Sequence, residues 1–112
     1  MARNPADRLR TICLALPAAT EVPMKRGPTY RITNKIFAME RPHGEAVAVW
    51  CKAPPGSQAV LVGADPQRFF VPPYVGPKGW IGIRLDAGAD WKEVAALVER
   101  SYRLIAPKRP RR

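Results

Sequence analysis

Apolar residues open the chain at helical spacing. Leu9, Ile12, Cys13 and Leu16 fall on one face of a 3.6-residue period. Asn4-Pro5-Ala6-Asp7 supplies the start: a capping side chain, a proline suited to the first helical position, and an acid that complements the helix dipole. The spacing predicts a helix over about 5–16, stopped by Pro17. Residues 17–28 hold three prolines and one glycine and read as a loop, with Lys25-Arg26-Gly27-Pro28 as a basic turn. Thr29–Ile32 and Lys35–Met39 then read as two strands joined at Thr33-Asn34. Arg41-Pro42-His43-Gly44 reads as the next turn, and Ala46–Lys52 as a third strand.

The second half repeats this mixture. After Pro54-Pro55-Gly56-Ser57, residues 58–64 predict a short helix with Val60 and Leu61 turned inward, and Asp65-Pro66 reads as another cap followed by a first-turn proline. Phe69–Val71 is a short strand candidate, and residues 72–79 form a proline- and glycine-rich loop. Trp80–Leu85 is the clearest strand: Ile81, Ile83 and Leu85 line one face, and Trp80, Gly82 and Arg84 the other. Asp90 caps a last helix, with Glu93 at capping-box spacing. Trp91, Val94, Leu97, Val98, Ser101, Tyr102 and Ile105 keep helical spacing until Pro107. There are no internal repeats. The order α-β-β-β-α-β-β-α predicts a two-layer α+β domain over residues 1–106, an antiparallel sheet with helices packed on one face. Residues 107–112 are expected to be a flexible basic tail.

Charge changes this picture more than composition does. In 112 residues there are 19 Lys and Arg against 9 Asp and Glu, a net charge of +10. Lys108, Arg109, Arg111 and Arg112 crowd the last six positions, and Arg3, Arg8 and Arg10 the first ten. Such a balance points to a polyanionic partner, most commonly nucleic acid, or to a solvated basic tail. The longest apolar run, Ala46–Cys51, is too short to span a membrane. The first residues lack the apolar stretch of a signal peptide, so a cytoplasmic address with reduced Cys13 and Cys51 is expected.

Candidate chemistry is sparse. The one histidine, His43, stands in a Pro-Gly turn, and neither cysteine has metal-ligand spacing. No base, nucleophile and orienting group stand together, and the acids are scattered among caps and turns. No metal, no cofactor and no enzymatic activity are expected. Gly76-x-x-Gly79-x-x-Gly82 precedes a strand and not a helix, so it is no phosphate loop.

One segment is distinctive: Phe69-Phe70-Val71-Pro72-Pro73-Tyr74-Val75-Gly76-Pro77-Lys78-Gly79-Trp80-Ile81-Gly82 resembles the signature of the MmcQ/YjbR family of small bacterial proteins. Ile12–Pro17 with Thr20-Glu21, Lys35–Ala38, Trp50-Cys51-Lys52, Asp90-Trp91 and Ser101-Tyr102 agree, so the resemblance spans about residues 5–106. The family often carries Gly-His-Pro-Thr-Phe after the first helix. Here Arg26-Gly27-Pro28-Thr29-Tyr30 lacks the histidine, and any role for it does not transfer. The resemblance implies a compact fold similar to frataxin-like and secretion-chaperone-like folds, and to a double-wing DNA-binding domain. Iron binding of the frataxin kind needs an acidic first helix, which Asp7 beside Arg8 and Arg10 does not supply. Secretion chaperones are usually acidic, unlike this chain.

If Ile81, Ile83 and Leu85 face the helices, period two turns Trp80 and Arg84 to the opposite face, and likewise Trp50 and Lys52. An open face of Trp50, Lys52, Trp80 and Arg84 around Gly82 suits stacking on bases and contact with phosphates. The other reading packs both tryptophans under the Pro72–Pro77 loop. Lys25, Arg26, Lys35 and Lys78, with tail residues Lys108, Arg109, Arg111 and Arg112, are further phosphate-contact candidates. Tyr74 is a candidate at the same face, although Tyr74 and Tyr102 each read as a structural ring with its hydroxyl at the edge. The expected function is non-enzymatic DNA binding by a monomer. The alternative is a protein-interaction or small-ligand module using the tryptophan- and proline-rich face.

Overall fold

Asn4 begins the first element as expected: its side-chain oxygen accepts the Asp7 N–H at 2.8 Å. The fold described here is a computed structural model and covers residues 4–86 and 88–107. Its elements are α1 (Pro5–Leu14), β1 (Thr20–Val22), β2 (Thr29–Ile32), β3 (Lys35–His43), β4 (Ala46–Cys51), α2 (Ser57–Ala64), β5 (Phe69–Phe70), a 3₁₀ turn at Gly76–Lys78, β6 (Ile81–Arg84) and α3 (Trp91–Ile105). All strand pairs are antiparallel, in the order β1-β2-β3-β4-β6-β5. The architecture is the expected α+β one, with one strand more.

The helix-covered face carries the main core. Leu9 and Cys13 of α1 and Val94, Leu97 and Val98 of α3 pack on Tyr30, Ile32, Phe37, Val49, Cys51, Ile81, Ile83 and Leu85. A bulge matters here. Tyr30 pairs with Ala38 but Arg31 with Ile36, which leaves Phe37 as an extra residue. The shift lets Phe37 and Ala38 both join the core, against strict alternation. Just beyond the last β3–β4 pair, Ala38 with Cys51, the Ser101 hydroxyl accepts from Lys52 N at 2.8 Å and donates to Phe37 O at 2.6 Å. It bridges the next rung of the ladder and ties α3 to the sheet.

Several elements differ from expectation. The first helix ends at Leu14, because a residue before proline avoids the helical region. The loop over 17–28 contains edge strand β1, held by pairing with β2 and by an Arg10–Glu21 ion pair at 2.7 Å. β3 runs through Pro42 to His43, and the turn is Gly44-Glu45. β2 ends its partnership at Pro28–Glu40. A proline past that point removes no rung on the β2 side. In α2, Leu61 and Val62 pack inward, while Val60 is 69% exposed. Asp65 closes α2 and starts no helix. Asp90 does cap α3 through Lys92 N and Glu93 N, but Glu93 pairs with Arg68 and leaves the capping box unclosed. Among the described residues no helix is long and apolar enough to cross a membrane.

Candidate functional site

The face turned away from α1 and α3 is built across four strands. Met39, Trp50, Gly82 and Phe70 stand in register on β3, β4, β6 and β5. Gly82 is required at its place: a Cβ there would lie 2.3 Å from the Phe70 ring. Met39, Trp50 and Trp80 form a second small core with Ile36, Phe70 and Val75. The loop leading to β6 lies over it. Gln58 of α2 pins that loop, its Nε2 donating to Gly76 O at 2.9 Å and to Trp80 O at 2.6 Å. Trp50 and Trp80 are each only 8% exposed. The open tryptophan face expected from period two is therefore covered, and the loop-packed reading holds.

An open cleft of about 340 Å³ remains beside this cluster. Arg26, Arg41, His43, Trp50, Phe70 and Tyr74 line it, with no carboxylate among its lining residues. Arg41 donates from one nitrogen to Glu40 O at 2.8 Å and Gly27 O at 3.2 Å, and its carbon lies 6.0 Å from the Trp50 ring centroid. Burial, and then the nearby positive Arg26, pull its pKa below the ordinary guanidinium value. Gly27, at φ +138°, lets the loop close on β3, since a Cβ there would meet Glu40 O at 2.5 Å. This approach sets Arg26 near Arg41. The neighbouring Glu40 belongs to the other face, where burial, and then Glu21, raise its carboxyl pKa. The His43 ring stacks on Phe70 with centroids 4.4 Å apart. Tyr74, on the rim, is 81% exposed and has φ +67°.

The segment that shapes this cleft, Phe69–Gly82, lies inside the stretch of residues 14–104 that matches the YjbR family. The chain belongs to that family. A solved structure of the Deinococcus radiodurans protein DR2400, a DUF419 domain, is similar over 93% of this chain and 82% of its own, with TM-score 0.78 and 21% identity. That likeness confirms the fold. A search of curated proteins finds no match.

In this YjbR chain, three of the residues expected at the site come together in the cleft: Arg26, Trp50 and Tyr74. Lys25 and Lys78 are exposed on the two adjoining loops, and Lys35 is exposed at the β2–β3 hairpin. Trp80 is buried under the loop. Lys52 lies beyond the end of β4, half-buried, with its N–H on Ser101. Arg84 serves a different rim: it donates to Gln67 O at 3.3 Å and pairs with Asp86 at 3.5 Å. Lys108, Arg109, Arg111 and Arg112 lie outside the described residues. Tyr74 does not place its ring in the core, whereas Tyr102 does, edge-on to Phe37 with its hydroxyl donating to Pro17 O.

Arg41, His43 and Phe70 are cleft residues that the sequence reading leaves out. The signal for two of them is the alternation Met39-Arg41-His43, hidden by reading Pro42 as a turn. His43 is half-buried on a strand and not a solvated loop residue. Among the described residues no group of three or more His, Cys, Asp or Glu is placed to hold a metal ion. Cys13 and Cys51 are free and buried; burial pushes both thiol pKa values up, that of Cys51 to about 12.

Proposed function

We propose that this YjbR protein is a non-enzymatic, cytoplasmic nucleic-acid-binding protein, with DNA as its expected ligand, acting as a monomer. The observation that carries the reading is the cleft: two arginines near each other, no carboxylate on its walls, and an exposed tyrosine at its rim. Two neighbouring cations on a wall that carries no carboxylate favour an anionic ligand. Phosphates meet Arg26 and Arg41, and Lys25 and Lys78 extend the positive surface on either side. Trp50 acts from the floor by holding the wall, not as an exposed platform. The remaining charge of the +10 chain adds contacts without sequence preference.

The test is fluorescence anisotropy of labelled nucleic acid over a salt series, with residues 1–112 and 1–106. A steep salt slope retained by 1–106 supports binding by the domain. A slope lost with the tail assigns binding to the terminal charge, and no binding by either form removes the reading. The second reading, a protein-interaction or small-ligand module, draws on Tyr74 and Val71, both exposed on the same loop. It gains weight where small aromatic anions raise the Tm and nucleic acid does not bind.

A further inference from the structure

The cleft has a size and a chemistry that select among nucleic acids. We infer that it takes one unpaired nucleotide, its base stacked on Tyr74 and its phosphate held by Arg26 and Arg41. This rests on the nucleic-acid reading above and narrows it to single-stranded DNA or RNA.

Three observations converge. First, Tyr74 is a tyrosine where the fold asks for glycine. Its φ of +67° is a conformation that side-chain-bearing residues seldom adopt. The turn around it closes through the backbone bonds Val75 N to Pro73 O at 2.7 Å and Gly76 N to Pro72 O at 3.0 Å, neither of which involves the Tyr74 side chain. With 81% of the residue exposed, the ring gains little from the core. Strain without a packing return points to a surface role. Second, an exposed aromatic ring beside a basic groove is how sequence-tolerant single-strand sites hold bases, since every base has a stacking face. Here the cations share the Tyr74 cleft, and Arg41 is held in place by Gly27 O and Glu40 O with guanidinium donors to spare. Third, the site is concave and about 340 Å³, the small end of the range of about 300–1,000 Å³ for ligand pockets. Reading a duplex through its major groove calls for a helix or ribbon that enters it. A recess with Arg41 half-buried in its wall and Arg26 exposed beside it fits a base that is already unstacked.

The experiment compares a labelled single strand, the matching duplex, an RNA strand of the same sequence and a free mononucleotide on the full chain at matched salt. The expected order puts either single strand at least about tenfold tighter than the duplex, with DNA and RNA alike. Tyr74→Gly separates folding from binding, because glycine suits φ +67°. Its Tm is expected to equal or exceed that of the parent, while single-strand affinity falls about 5- to 150-fold, as loss of one stacked base implies. Tyr74→Phe retains affinity. Arg26→Ala lowers the salt slope by about 0.7, the value for one phosphate on a single strand. Duplex binding as tight as single-strand binding, or unchanged affinity in Tyr74→Gly, overturns the inference and leaves general nucleic-acid binding standing. Absence of binding to all four ligands overturns both.

Discussion

At the scale of single residues, small side chains decide where large ones sit. Gly82 leaves the space that the Phe70 ring fills, and Phe70 in turn carries His43. Gly82→Ala forces the ring away and is expected to lower stability by about 1–3 kcal/mol, read from the urea midpoint, with a loss of the cleft wall. Ser101 is fully buried and has both a donor and an acceptor partner. Ser101→Ala strands the Lys52 N–H and the Phe37 carbonyl in the core, and a loss of about 1–3 kcal/mol follows. Ser101→Thr, which keeps the hydroxyl, separates that loss from packing. Neither effect was legible in the chain, where Ser101 is one more member of a helical stripe. Its meaning depends on a strand end 49 residues away.

At the scale of elements, local signals and neighbours divided the work. The caps of α1 and α3 stand where Asn4 and Asp90 announced them, because a cap bonds to residues two or three positions ahead. The hairpin at Thr33-Asn34 is equally local; both residues take positive φ. β1 was not legible: Thr20-Glu21-Val22 has no alternation long enough to mark a strand, and β2 supplies its pairing. Nor was the far half of β3, because Pro42 reads as a turn until the sheet shows that β2 stops short of it. The loop over the tryptophans depends on α2. Gln58→Ala removes two hydrogen bonds to loop carbonyls, and a loss of about 1–3 kcal/mol is expected. Acrylamide quenching separates local opening from general loosening: Trp50 and Trp80 fluorescence becomes more accessible while the far-UV spectrum stays unchanged.

At the scale of the whole molecule, charge and burial set the pH response. Burial holds the Cys51 thiol up at about 12 and raises Cys13 as well, whereas the unfolded chain ionises near the ordinary value of about 9. Between these values the folded state keeps protons that the unfolded state releases. Stability therefore falls as pH rises from about 9 toward 12. Urea midpoints across that window check the slope, and Cys51→Ala is expected to flatten it. Within the described residues, neighbours a few positions apart were enough to mark the starts of the three helices (with a false one at Asp65), five of the six strands in whole or in part, the inward set Ile81, Ile83 and Leu85, and the YjbR resemblance. That the tryptophans are covered, and that Arg26, Arg41, His43, Phe70 and Tyr74 share one cleft, follows from contacts between distant elements. Period two says which face a side chain takes, but the cover over that face comes from a loop docked by a glutamine on another element, a contact that no local spacing encodes.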